Sequence, residues 1–180
     1  YHHWLMSKGV RPEDGDRFNR HEVARLPEEL SKPAYLAQEA TDFLRRHRDE
    51  PFALYVNFLE PHMPFFGPRD DQYDADEVPL PPNFENVPGP DQPAAIRVLR
   101  EHVRERYGAE GREEWRRLIS RYWGLCSQVD THAGRILAAL EDLGLDEDTV
   151  VVFTSDHGDM MGSHGLAHKC VMFEEAVRVP

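Results

Sequence analysis

Apolar residues along the chain follow two patterns. One is the three-to-four-residue period of amphipathic helices, and the other is the short continuous run typical of buried strands. The clearest helical pattern covers residues 115–140, where apolar side chains recur every three or four positions. Gly144 follows this pattern and is suited to a left-handed helix end. A second helix is predicted to begin near Ser31, which can cap it, and to end before Pro51. A more polar helix is predicted over residues 92–107.

Two short apolar runs predict strands rather than helices. Residues 52–59 are almost continuously apolar and lie between prolines, and residues 150–154 follow the long helix after a short acidic turn. Continuous apolar runs are typical of parallel strands that are covered on both faces. A helix, a short turn and a buried strand in succession indicate an α/β fold with a mostly parallel sheet between helices.

Two further segments show neither a helical period nor a continuous apolar run. Residues 1–30 are polar and predict an irregular surface excursion. Residues 61–93 contain nine prolines and predict a long ordered loop, and long loops in compact domains are often functional. Three glycines, Gly158, Gly162 and Gly165, predict another irregular loop after the second strand.

The composition excludes several classes of protein. The chain has 180 residues, enough for one domain with a core, and carries 33 acidic against 21 basic residues, a formal net charge of -12. An acidic chain without clustered lysine and arginine is not expected to bind nucleic acid. No apolar run approaches the length of a membrane span. Cys126 and Cys170 form neither a disulfide framework nor a zinc-ligand spacing.

Polar residues follow both predicted strands, at residues 60–64 and 155–159. In open α/β sheets, ligands bind at the carboxyl ends of the strands, so these two loops are expected to converge. Asp156 and His157 offer a carboxylate oxygen and a ring nitrogen to one metal ion, with Gly158 permitting the necessary bend or a close backbone approach. From spacing alone, a capping aspartate and a surface histidine in a turn are equally supported.

Other side chains near these strand ends have candidate roles and simple alternatives. Lys169 is a candidate anion ligand, or else an ordinary solvated lysine. His62 is a candidate proton donor or anion ligand, or else a histidine that satisfies loop backbone groups. His164 and His168 are candidates for supporting contacts or plain loop residues, and the plain interpretation is favoured for His168. A zinc triad of these two with His157 is disfavoured, since its spacing does not match a helical ligand pair.

The motifs at these positions resemble the sulfatases of the alkaline phosphatase superfamily. The match is strongest over residues 122–180, returns over residues 52–64 and 78–83, and covers most of residues 33–180. Its most specific part is the apolar strand followed by Asp156-His157-Gly158. The resemblance implies an alkaline-phosphatase-like sandwich, with the sheet expected to be incomplete in this chain.

The resemblance also implies roles for individual residues. Asp156 and His157 match the family's second pair of metal ligands, for calcium or, as alternatives, manganese or magnesium. Lys169 matches the lysine that holds the sulfate group, and His62 the histidine that contacts sulfate and the leaving oxygen. His164 is a further candidate substrate-binding residue. Many sulfatases carry asparagine at the position of His157, and the Asp-His version also occurs in phosphonate and phosphate ester hydrolases, which leaves the ester type open.

One departure from the family pattern concerns the nucleophile. These sulfatases use a formylglycine made within a Cys/Ser-x-Pro-x-Arg motif, and neither Cys126, Cys170 nor any serine fits it. The family's first acidic metal-binding pair is absent as well. Both are expected upstream of Tyr1, so residues 1–180 are interpreted as the central part of a sulfatase catalytic domain and are expected to be inactive alone.

Three functional hypotheses follow. The first is metal-dependent hydrolysis of a small-molecule or saccharide sulfate ester by the complete protein. The second is hydrolysis of phosphonate or phosphate esters on the same fold. The third is an inactive fragment or degenerate member that binds an anion or a partner. The sequence assigns neither a compartment nor an oligomeric state.

Overall fold

The computed structural model describes all of residues 1–180, and its regular structure is helical. Six α-helices and two short 3-10 turns follow one another along the chain. The α-helices are α1 His2–Ser7, α2 Arg20–Ala24, α3 Lys32–Arg46, α4 Ala94–Tyr107, α5 Arg112–Asp142 and α6 Glu174–Val177, and the 3-10 turns are Glu28–Leu30 and Ser163–Gly165. None of these helices is both long enough and apolar enough to span a bilayer.

The chain divides into two compact units. The first contains Tyr1–Gln72 and Arg121–Val150, and the second contains Tyr73–Ser120 and Val151–Pro180. Helix α5 contributes its first residues to the second unit and the remainder to the first.

The predicted helices of the first unit are confirmed. Ser31 caps α3, its hydroxyl accepting a hydrogen bond from the Ala34 amide at 3.3 Å. Helix α5 is followed by Gly144 at a φ of 66°, in the left-handed region that glycine adopts without a steric cost. Buried Leu44 on α3 packs in a cluster with Ala139 and Leu140 of α5.

Residues 1–30 contain more structure than the expected irregular excursion. Leu5 on α1 is fully buried, and the rings of Tyr1 and Trp4 pack against Tyr35 of α3 at 5.4 and 5.2 Å between centroids. Asn19 caps α2 in a capping box with Glu22. These helices have only five or six residues, too few to show the period that predicts longer ones.

A buried polar network joins the Glu28–Leu30 turn to α5. The Arg69 guanidinium donates to both carboxylate oxygens of Glu28, at 2.7 and 2.5 Å, and to the Ser127 carbonyl and the Thr131 hydroxyl. His132, fully buried, lies 3.6 Å from the same carboxylate. The Arg69 hydrogen bonds lower the pKa of Glu28, and burial lowers the pKa of His132.

The second unit has its own core. Met160, Leu166 and Ala176 form a buried cluster, with Ile96 and Leu99 of α4 packed against it. Residues 61–93, predicted to be a long loop, contain no helix or strand.

The two predicted strands are not formed, because neither segment pairs with a second strand through backbone hydrogen bonds. In residues 52–59, Phe52, Val56 and Phe58 are half-buried, whereas Leu54 and the odd-numbered positions are exposed. Residues 150–154 are exposed throughout, Val152 by 79% and Phe153 by 71%. The parallel sheet therefore stays a prediction.

Candidate metal and anion site

The side chains of Asp156 and His157 bring one oxygen and one nitrogen close together. His157 Nε2 lies 3.5 Å from Asp156 Oδ2. The other ring nitrogen, Nδ1, lies 2.8 Å from the Gly158 carbonyl oxygen. Because a carbonyl oxygen only accepts, Nδ1 carries the hydrogen and donates it. In the neutral ring Nε2 then presents a lone pair toward the carboxylate oxygen.

This pair fits two positions in the coordination shell of a divalent cation. Two ligands that lie about 2.4 Å from one ion at right angles are about 3.4 Å apart, close to the separation seen here. A ligating histidine whose other N–H donates to a backbone carbonyl has its tautomer and ring orientation fixed. Asp156 is 87% exposed, which leaves the carboxylate open to an ion. No group of three or more His, Cys, Asp or Glu side chains suited to a metal occurs in residues 1–180, so these residues alone do not make a complete metal site.

The predicted close approach at Gly158 is confirmed. A Cβ atom at this position would lie 2.0 Å from the Glu175 carbonyl oxygen. The Gly158 amide donates to the Ala176 carbonyl at 2.9 Å. The end of α6 therefore holds the backbone directly after His157, and only glycine permits that contact.

Asp159 organises the loop that follows. Its Oδ1 accepts hydrogen bonds from the amides of Met161 and His168, at 3.0 and 2.9 Å. Burial raises the pKa of Asp159, while those two amides and the nearby charges of Lys169 and His157 oppose the rise. Both candidate cationic groups are thus within electrostatic range of one carboxyl. The sequence showed Asp159 only as one of several polar residues, since its amide partners lie up to nine positions away.

The same loop contains every non-glycine residue of the chain with positive φ. These are Met161, His164, His168 and Cys170, with φ between 27° and 77°. Left-handed backbone costs an L-residue about 1–2 kcal/mol, and such strain concentrates at functional sites. Lys169 lies between two of these residues and is partly buried, with no ion pair to a carboxylate.

His164 lies within a network of side chains from distant segments. Its Nδ1 lies 2.9 Å from the Asn86 carbonyl oxygen and its Nε2 lies 3.2 Å from Asn83 Nδ2. The ring stacks on Phe173 at 4.4 Å, and Asn83 also donates to Glu175. Both ring nitrogens therefore have protein partners, and its substrate-binding role stays a prediction.

His168 contacts Tyr107 of α4, with 3.0 Å between Nε2 and the phenolic oxygen. This contact agrees with a structural role. The zinc triad of His157, His164 and His168 is not formed, since these rings do not join a metal-binding group.

His62 lies in the first unit, after a Glu60–Pro61 bond that is cis. Its Nδ1 is 3.0 Å from the Met63 carbonyl oxygen and 3.3 Å from Arg20 Nη1. A carbonyl only accepts and a guanidinium only donates, so Nδ1 serves one of them at a time. The shorter contact favours Nδ1–H donating to Met63, which leaves Nε2 for a ligand. Arg20 was not a candidate from the sequence, because no pattern connects it to a residue 42 positions later.

Comparisons with known proteins give the family. The Sulfatase family model matches residues 16–180. The chain is 33% identical over 172 residues to the multifunctional alkaline phosphatase superfamily protein PehA from Trinickia caryophylli, covering 87% of this chain and 33% of that protein. It is 33% identical over 174 residues to iduronate 2-sulfatase from Mus musculus, covering 88% of this chain and 31% of that protein.

The fold is also shared with a solved structure. The phosphonate monoester hydrolase from Silicibacter pomeroyi superimposes with a TM-score of 0.80 at 24% identity, over 98% of this chain and 39% of that one. This likeness shows an alkaline-phosphatase-like fold. The chain spans about a third of the length of the curated relatives it matches. With the family model matching more than half of its residues, the chain belongs to the sulfatase family.

Proposed function

We propose that the complete protein hydrolyses sulfate esters with a divalent metal ion held in part by Asp156 and His157. The observation that carries this proposal is the 3.5 Å separation of Asp156 Oδ2 and His157 Nε2, with the other ring nitrogen of His157 held by the Gly158 carbonyl. Membership of the sulfatase family supports the ester chemistry. Calcium is the proposed ion, with manganese or magnesium as alternatives, because all three accept carboxylate ligands.

Residues of this chain would also bind the sulfate group and transfer a proton to the leaving oxygen. When bound, the metal supplies positive charge that stabilises charge on the ester oxygens. Lys169 adds a compact positive charge that binds the non-bridging oxygens of the sulfate group. His62, with Nδ1 held by the Met63 carbonyl, presents Nε2 as the atom that transfers a proton to the leaving oxygen. The nucleophile is proposed to be a formylglycine outside residues 1–180, since Cys126 and Cys170 both lack the required motif.

The proposed substrates are small-molecule or saccharide sulfate esters. The name of the mouse relative, iduronate 2-sulfatase, indicates a sulfated sugar acid as the substrate of that protein. Partly buried Lys169 and the Nε2 atom of His62 could each serve a sulfate ester of either kind.

Hydrolysis of phosphonate or phosphate esters is the second candidate. The observation that favours it is His157 itself, which stands where many sulfatases carry asparagine. The bacterial relative PehA is described as multifunctional within the alkaline phosphatase superfamily. Both candidates use the same cationic residues, because sulfate and phosphonate monoesters present similar anionic oxygens.

The test compares turnover of a sulfate monoester and a phosphonate monoester by the complete protein. We expect faster turnover of the sulfate ester and a loss of about 100-fold in kcat/KM for Lys169→Ala, the scale of removing one charge-stabilising group. Lys8→Ala is the matched control, since Lys8 is exposed on the first unit. Full activity in Lys169→Ala would contradict the proposal, and a preference for the phosphonate ester would favour the second candidate.

His62 is tested separately with substrates that differ in leaving group. Loss of a general acid slows an ester with a poor leaving group far more than an activated aryl ester. We expect His62→Ala to lose about 100-fold on an alkyl sulfate and much less on 4-nitrophenyl sulfate. Equal losses on both would remove the proton-transfer role.

A further inference from the structure

A concave pocket beside His62 has a basic lining that the proposed reaction does not use. The pocket belongs to the first unit, and its empty volume is about 470 Å³ when the open solvent at its mouth is counted with it. Its polar lining comes from Arg20 of α2, Ser31 and Lys32 at the start of α3, Glu60, His62 and the buried Gln128 of α5. Arg20 and Lys32 also line the adjoining pocket beside Tyr1, which places the two cations in the same neighbourhood.

Both cations lack a carboxylate partner. No carboxylate oxygen lies within 4.0 Å of the Arg20 guanidinium or the Lys32 ammonium, although the chain has 33 acidic residues. Lys32 Nζ lies 6.0 Å from the centroid of the Tyr1 ring. The single polar contact of Arg20 is with His62 Nδ1, which already donates to the Met63 carbonyl. Arg20 therefore retains its hydrogen-bond donors for a ligand.

The carboxyl group of Glu60 also lines the pocket, and its negative charge would weaken anion binding only while it is ionised. Glu60 is largely buried, and its Oε2 has no hydrogen-bond partner. Burial raises the pKa of Glu60, and the Lys32 ammonium lowers it by a smaller amount. Because neither cation has a carboxylate oxygen within 4.0 Å, an anion bound beside them would gain a favourable charge interaction with both.

We propose that this pocket holds a second anionic group of the ester substrate, a sulfate or carboxylate on its alcohol part, with Arg20 and Lys32 as the ligands. The inference rests on the proposed function, in which His62 transfers a proton to the leaving oxygen of the ester that is cleaved. Arg20 and Lys32 lie outside that set and line the same pocket as His62. Arg20 offers a planar fork suited to two oxygens, and Lys32 a point charge. The pocket thus selects esters that carry two negative groups.

The binding test uses inorganic sulfate as the probe and residues 1–180 as the protein. Sodium sulfate is titrated at constant ionic strength while the Arg20 side-chain N–H and the His62 ring are followed by NMR. We expect saturable shifts at both residues. Arg20→Gln and Lys32→Gln should each weaken the affinity about fivefold, the scale of one partly exposed charge contact.

Two control variants make the result specific. Arg17→Gln removes the same charge from an exposed arginine outside the pocket and should leave the affinity unchanged. Lys169→Ala removes the lysine of the proposed reaction and should also leave it unchanged at Arg20. Shifts that do not saturate, or an equal loss in Arg17→Gln, would overturn the inference. A loss in Lys169→Ala alone would overturn it and leave the proposed function intact.

A kinetic test with the complete protein checks the substrate class. Arg20→Gln should raise KM about fivefold for a disulfated hexosamine and leave KM unchanged for the monosulfated counterpart. An equal rise for both substrates would contradict a second anionic group. An enzyme that turned over no sulfate ester would refute the proposed function, whereas the sulfate affinities of residues 1–180 would stand.

Discussion

Replacement of Gly158 by alanine should dislocate the backbone that holds His157. The added Cβ would lie 2.0 Å from the Glu175 carbonyl oxygen, at least 1.0 Å inside the 3.0 Å limit below which real Cβ contacts essentially do not occur. Both partners are backbone, so relief requires the end of α6 to move by about 1 Å. Such a shift would also break the 2.9 Å hydrogen bond from the Gly158 amide to the Ala176 carbonyl.

The expected cost combines two contributions. Overpacking costs about 1–3 kcal/mol and the lost hydrogen bond about 1 kcal/mol, giving roughly 3 kcal/mol in total. For a chain of this size that lowers the thermal midpoint by about 6–12 °C. Hydrogen exchange should show that the amide at position 158 loses its protection in Gly158→Ala, because its bond to the Ala176 main-chain carbonyl is broken.

Gly134→Ala is the matched control for Gly158→Ala. Gly134 lies on α5 with no atom within 4 Å of an added Cβ, so alanine there should stabilise the helix by about 0.5–1 kcal/mol. The measurement is the thermal midpoint of both variants by circular dichroism. An unchanged midpoint in Gly158→Ala, or a larger loss in Gly134→Ala, would refute the close approach as the reason for glycine at this position.

Three further predictions concern stability and solubility. Glu28→Gln should destabilise the first unit above pH 4.5, because the Arg69 hydrogen bonds lower the pKa of Glu28 and favour its charged form. The difference in stability from the wild type should shrink as the pH falls through that lowered pKa. A difference in urea midpoints that does not change with pH would contradict this prediction. Ser31→Ala removes the α3 cap and should lower the free energy of unfolding by about 1 kcal/mol in urea titrations, with Ser31→Asp retaining most of it. Residues 150–153 expose four apolar side chains in a row, so we expect Val152→Lys to reduce any self-association seen by light scattering. Its effect on stability should be less than about 0.5 kcal/mol, since Val152 is exposed, and an unchanged association would contradict a role for this run.

Local patterns predicted the long helices because the apolar period and the capping residue of a helix both lie within the helix itself. The apolar period of α5 and the Ser31 cap of α3 both lie within the elements they specify. Strand formation instead requires a partner backbone, and neither residues 52–59 nor residues 150–154 has one in this chain. An apolar run alone does not supply that partner.

In the candidate site, too, the features formed by adjacent residues were predicted and the contacts between distant residues were not. Asp156, His157 and Gly158 are adjacent in sequence, so their motif predicted a shared turn, and the close backbone approach at Gly158 is confirmed. The contacts of His164 with Asn83 join residues 81 positions apart, and Arg20 reaches His62 across 42 positions. Contacts at that separation depend on the fold and leave no periodic signal in one sequence.

The most direct test of the central claim is manganese binding to residues 1–180, read by paramagnetic broadening of assigned NMR signals. The account predicts that low concentrations of Mn²⁺ broaden the signals of Asp156 and His157 first, and that Asp156→Asn and His157→Ala both abolish this selectivity. Asp146→Asn and His102→Ala, which make the same changes at exposed positions, should leave the broadening in place. Broadening that ignores residues 156–157, or that survives both site variants, would contradict a metal site at Asp156 and His157.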